Sequence, residues 1–130
     1  MGIIAKFPGN YYIDYPSPPT IEWNELTEIS QLDKLIEESA TTPVVIFKHS
    51  TRCDLSAAML MRFERTYEYG ENVLKPVFLD LRHYREVSDE IATRFGVIHQ
   101  SPQLLLIKDK KVVYSANHDD IFAAGLANKI

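Results

Sequence analysis

Apolar residues in this chain fall into two rhythms. Residues 44–47, Val-Val-Ile-Phe, run without a polar break, which predicts a central strand covered on both faces. After a short polar turn, residues 57–65 are rich in strong helix formers and contain no Gly or Pro, so a helix is predicted there. Residues 73–81 read as a second strand, and Pro76 places its N-terminal half at an edge or an irregularity. The two strands are expected to pair in parallel through a right-handed helical crossover.

The flanking segments complete an alternating order. Residues 21–24 alternate with period two and predict a short strand. Ser30 is the natural N-cap for a helix over 31–39, in which Leu32, Leu35 and Ile36 share a face opposite Asp33, Lys34, Glu37 and Glu38. Ser88 can cap a helix over 89–95, with Gly96 as a left-handed terminator. Residues 103–107 and 111–115 predict a hairpin around Lys108-Asp109-Lys110. Asp119 or Asp120 is expected to open a last helix over 121–128, weakened by Gly125. The order is β-α-β-α-β-α-β-β-α. Residues 1–20 differ: Tyr11, Tyr12 and Tyr15 are interleaved with Pro8, Pro16, Pro18 and Pro19, which excludes regular helix and predicts an extended arm ahead of a domain at 21–130.

Bulk properties narrow the function classes. A length of 130 residues with 45% hydrophobic content suits one core. Fourteen basic against eighteen acidic residues give a formal charge of -4, with no basic cluster to follow a phosphate backbone, so nucleic acid is not an expected partner. No apolar run is long enough to span a bilayer, and no membrane partner is expected. A single cysteine cannot form an internal disulfide and fits a reducing compartment, so the cytoplasm is the expected location. A monomer is expected, with weak dimerisation as the alternative.

That cysteine sits at the junction of the central strand and the helix after it. Helix N-termini present unpaired N–H groups and the positive end of the peptide dipoles, both of which favour a thiolate. Lys48, His49 and Arg52 are candidate cationic neighbours of Cys53. Asp54 has opposed effects. It suits the first helical turn, but as a like charge beside the sulfur it disfavours ionisation. Replacing Asp54 by Pro is therefore expected to favour the thiolate, read as faster alkylation of Cys53 at fixed pH. His49, His83, His99 and His118 show no metal-ligand spacing.

The reactive-cysteine position after the second strand, with Ser101-Pro102 introducing the hairpin, resembles the thioredoxin superfamily over residues 21–130. More narrowly, Phe47-Lys48-His49-Ser50-Thr51-Arg52-Cys53 together with Phe95-Gly96-Val97-Ile98-His99-Gln100-Ser101-Pro102-Gln103 is similar to the monothiol bacilliredoxin family. The resemblance implies a thioredoxin-like fold, a central mixed sheet of four to five strands flanked by helices. It implies a thiol-disulfide oxidoreductase that removes a low-molecular-weight thiol such as bacillithiol from S-thiolated client proteins, with that thiol as co-substrate and no bound cofactor. Family sites carry a Thr-Cys-Pro-Ile-Ser-like sequence; this chain keeps Cys53 and Ser56 but has Arg52 and Asp54 on either side of the sulfur.

With Ser56 where a second thiol would stand, no intramolecular disulfide can discharge an adduct on Cys53, and a small thiol from solution must do so. The resemblance further implies that Pro102 is cis beside the cysteine, that the Ser101 backbone pairs with bound substrate, and that His99 and Gln100 flank the groove. Ser56 is expected to hydrogen-bond the sulfur or cap the helix. The rival reading is a thioredoxin-like adaptor in which Asp54 has blunted the cysteine.

Overall fold

The computed structural model describes the backbone of β1 (Ile3–Phe7) and β2 (Tyr11–Tyr15) and all of residues 21–130. β1 and β2 pair antiparallel, Ile3 opposite Tyr15; the rest of the arm expected over residues 1–20 lies outside the described residues.

The remaining strands are β3 (Asn24–Glu25), β4 (Val44–His49), β5 (Lys75–Asp80), β6 (Gln103–Lys108) and β7 (Lys111–Asn117), in one mixed sheet of order β3-β5-β4-β6-β7. β4 is central, parallel to β5 and antiparallel to β6, and all six of its residues are buried. Strand alternation divides its side chains between two cores. Val45 and Phe47 meet α2 (Asp54–Thr66) through Met59 and Phe63, with Ile121, Ala123 and Leu126 from the C-terminal segment. Val44 and Ile46 meet α1 (Ile29–Glu38) and α3 (Arg85–Phe95) through Leu32, Leu35, Val87 and Ile91.

Pro76 fits because of where β3 begins. Lys75 donates its N–H to Pro43 O on the β4 side, so Pro76 turns towards β3, whose pairing starts only at Val77 opposite Asn24. Its carbonyl accepts from Asn24 Nδ2 at 2.9 Å. β3 is shorter and later than residues 21–24: Trp23 leaves the strand to stack on Phe63, 5.8 Å between ring centroids, and to donate Nε1–H to Glu64.

Both serine caps differ from expectation. α1 starts at Ile29, not after Ser30, because Gln31 Oε1 reaches back to the N–H groups of Thr27 and Glu28 at 2.7 and 3.1 Å. α3 starts at Arg85, not after Ser88. Asp80 Oδ1 accepts from the N–H groups of Arg82 and His83, which lets the helix start four residues early and carries Ser88 into the buried face. Gly96 does end α3 in the left-handed conformation, φ 63°.

The predicted last helix is replaced by two 3₁₀ turns, His118–Asp120 and Ala124–Leu126. The Arg62 guanidinium supplies the reason: it donates to the carbonyls of Asp119 and Ile121 and lies over the Phe122 ring, 3.7 Å from its centroid. The Ile121 carbonyl is the one an α-helix would offer to Gly125 N–H, which instead bonds Phe122 O.

Candidate active site

β4 delivers the chain to a turn that ends at Cys53, the N-cap of α2, with extended backbone angles of φ -112° and ψ 115°. Its Sγ accepts from Ser56 N–H at 3.4 Å, standing where a capping oxygen would. The residue is half-buried, and the helix end holds its sulfur. Arg52, Asp54 and Leu55 around it are exposed.

Ser56 ties this turn to the sheet. It is wholly buried, and its Oγ accepts from Ser50 N–H at 3.0 Å and lies 2.7 Å from His49 Nδ1. Burial lowers the His49 pKa, against the opposing pull of Asp80 and then Glu64, so the ring is neutral at neutral pH. The Ser56 hydroxyl then donates to His49 Nδ1, an assignment made from the network. His49 therefore adds no third positive charge at the sulfur: burial outweighs the carboxylates. Ser56→Ala would leave Ser50 N–H and His49 Nδ1 buried without partners and is expected to lower stability by about 1–3 kcal/mol. Urea denaturation of the two proteins checks this; an unchanged midpoint would show the network to be slack.

Lys48 also differs from expectation. One residue along a strand reverses the face, so Lys48 points away from the α2 side, into the core beneath α3. It is wholly buried, with Nζ 2.9 Å from His99 Nδ1 and 3.2 Å from Gln103 Oε1. Arg52 is left as the basic neighbour beside Cys53 in sequence, on an exposed turn.

The Ser101–Pro102 bond is cis and Pro102 is buried. Because Lys48 pairs with Gln103 across the β4–β6 ladder, Pro102 falls at the end of the sheet from which the Cys53 turn departs. Pro102 O accepts from His118 N–H at 3.0 Å, and Ser101, Gln100 and His99 are half-buried around it. Sequence reading missed Gln103, which shares Lys48 with His99, and Ser88, whose Oγ lies 3.4 Å from His99 Nδ1. A lone amide opening a strand of Leu and Ile, opposite a lysine in the central strand, is the signal that could have found Gln103. Among the described residues no three His, Cys, Asp or Glu side chains converge as a metal-ligand set. A cavity of about 570 Å³ opens beside Lys75, Pro76 and Thr42 at the other end of the sheet from Cys53.

A mixed sheet, a cysteine capping the helix after its central strand and a cis-proline at the same sheet end define the thioredoxin class. Solved structures agree. A protein of thioredoxin fold is 31% identical with a TM-score of 0.69, over 80% of this chain and 89% of that one. Fasciola hepatica thioredoxin is 20% identical with a TM-score of 0.63, over 82% and 95%. Thioredoxin 3 from Saccharomyces cerevisiae mitochondria is 17% identical with a TM-score of 0.64, over 83% and 92%. The chain belongs to the monothiol bacilliredoxin family, whose model, Monothiol bacilliredoxin BrxC, matches residues 24–126. Family and fold together support a thiol-disulfide oxidoreductase, and the chain has one cysteine to serve it. No helix among the described residues is long and apolar enough to cross a membrane.

Proposed function

We propose that this chain removes a low-molecular-weight thiol, bacillithiol or an equivalent, from mixed disulfides on client proteins in the cytoplasm. The observation that carries the reading is the half-buried Cys53 sulfur capping α2 in a chain with no second thiol. In the first step the Cys53 thiolate attacks the small-thiol sulfur of the mixed disulfide. A Cys53–small-thiol disulfide forms and the client leaves as its thiolate. In the second, a free small-thiol thiolate attacks that same small-thiol sulfur on the adduct. Cys53 returns as thiolate, and the two small thiols leave as their symmetric disulfide.

The peptide dipoles of α2 and the Ser56 N–H favour the leaving Cys53 thiolate in the second step as well as the attacking one in the first. The Ser101 backbone, turned by the cis bond, supplies the N–H and C=O groups for an extended client segment. Oxidised small-thiol disulfide is the test reagent. Mass spectrometry is expected to find one adduct per chain, on Cys53, and the reduced thiol is expected to discharge it. A sulfhydryl that stays inert would favour the adaptor reading, in which Asp54 blunts the cysteine.

A further inference from the structure

We propose that Lys48 is a positioning residue for this exchange. From the sheet face opposite Cys53 its ammonium fixes His99 in one tautomer and, through Gln103, sets the loop that ends in the cis Ser101–Pro102 corner. The inference rests on the thiol-exchange reading and adds a residue that acts through others.

A lysine at this place needs a reason. Val44 and Ile46 share its face of β4 and are apolar core residues, and burying an ammonium among them costs free energy that a methionine would not. Among the described residues its hydrogen bonds go to two neutral acceptors, not to a carboxylate. An ammonium has three donors and no acceptor, so His99 Nδ1 must offer its lone pair, and the ring proton resides on Nε2. Gln103 is oriented in the same way. With Oε1 turned to Lys48, its Nε2 donates to Ile98 O at 2.9 Å and to Asn117 Oδ1 at 3.0 Å. One cation thus specifies both side chains that hold residues 98–99.

The start of the loop is held from α3, where Val97 N–H bonds Ala92 O at 3.1 Å and the Val97 side chain packs on the core. Beyond it, Ile98 is 80% exposed, and residues 97–100 belong to no helix or strand. Ser101 and Pro102 follow, and the carbonyl of Pro102 is fixed by the N–H of His118, the residue after β7. Losing the anchor on one side of the corner would let the Ser101 backbone drift, and misplacements of about 1 Å can cost about a hundredfold in rate.

Charges around the pair favour this arrangement at neutral pH. Facing Lys48 and His99 are Arg85 and Asp89 from α3, with Ser88 Oγ 3.4 Å from His99 Nδ1 and the Gln103 and Asn117 amides from β6 and β7. Burial first, then Lys48 and Arg85, lower the His99 pKa, while Asp89 opposes them. Lys48 itself is lowered to about 8, mainly by burial, so an ammonium facing a neutral imidazole is the dominant pair at pH 7.

Lys48→Met keeps most of the side-chain length and removes the donor. Nitrogen-15 spectra of the His99 ring are expected to show a single Nε2–H tautomer in the wild type and a mixture in Lys48→Met, with the His99 titration moved upwards. KM for a peptide carrying bacillithiol in mixed disulfide is expected to rise about tenfold. Alkylation of Cys53 by iodoacetamide is expected to keep its wild-type rate, since Lys48 lies on the other face. Lys48→Gln, which still has an N–H to give His99, is expected to recover most of the tautomer and of KM, and it serves if Lys48→Met fails to fold. Unchanged His99 spectra or an unchanged KM in a folded variant would overturn the proposal. Equal losses of alkylation and turnover would also overturn it, by showing general damage. A wild type with no turnover on the peptide overturns the exchange reading itself, and this proposal with it.

Discussion

Cys53→Ser is expected to abolish exchange while leaving the fold as stable as before, or slightly more so. The sequence contains no other sulfhydryl to take over, so turnover of a mixed-disulfide substrate should fall to background, about three orders of magnitude or more for loss of a covalent nucleophile. The stability side follows from the cap. Cys53 Sγ receives Ser56 N–H at 3.4 Å, a long contact suited to sulfur, whereas a serine oxygen is among the preferred N-cap acceptors. The thermal midpoint should therefore hold or rise. A turnover assay beside a melting curve checks both halves. Residual turnover in Cys53→Ser would mean that the chemistry runs elsewhere, and a large fall in midpoint would mean that the sulfur carries a structural load its single hydrogen bond does not explain.

What could be read from the sequence was whatever depends on local pattern. β4 declared itself because a strand covered on both faces loses its polar alternation, and α2 because nothing in residues 57–65 breaks a helix. Gly96 was legible as a terminator because a positive φ favours glycine. What failed depends on partners distant in the chain. Ser30 and Ser88 are good caps in isolation, but Gln31 and the Asp80 turn compete for the same helix ends and prevail. The last helix fails because Arg62, some sixty residues earlier, takes the Ile121 carbonyl.

At the site the error was of another kind. Adjacency in sequence groups Lys48 and His49 with Arg52, yet adjacent strand residues face opposite ways. His49 goes to the Ser56 side and Lys48 to the α3 side. Burial then removes the charge of the one that stays near the cysteine. The favourable field at the sulfur is therefore left mainly to the helix end itself, with Asp54 beside it in the sequence.

Stability is expected to rise with pH from 7 to about 9.5, and Lys48 is the reason. In the folded chain its ammonium keeps its proton only to about 8, against 10.5 ordinarily; burial is the main cause, Arg85 adds to it and Asp89 opposes it. Between those values the unfolded chain binds more protons at this residue than the folded one, so the free energy of unfolding increases with pH. Below about pH 7.5 the cost of holding the buried charge is fully present; above it the folded chain sheds the proton and the cost fades. At 1.36 kcal/mol per pH unit, the interval from pH 7 to 9.5 relieves about 2 kcal/mol. Tyr67 limits the rise. Burial, with a smaller contribution from Tyr69, pushes its hydroxyl up to about 12, so beyond pH 10 the unfolded chain loses a proton that the folded one keeps, and stability turns down. Urea midpoints in a Cys53→Ser background, which removes thiol titration from the comparison, should trace this dome. Lys48→Met in the same background should be flat from pH 7 to 9.5. A wild-type lysine that leaves the curve flat would mean that water reaches its ammonium, and that the charge is not held in the core at all.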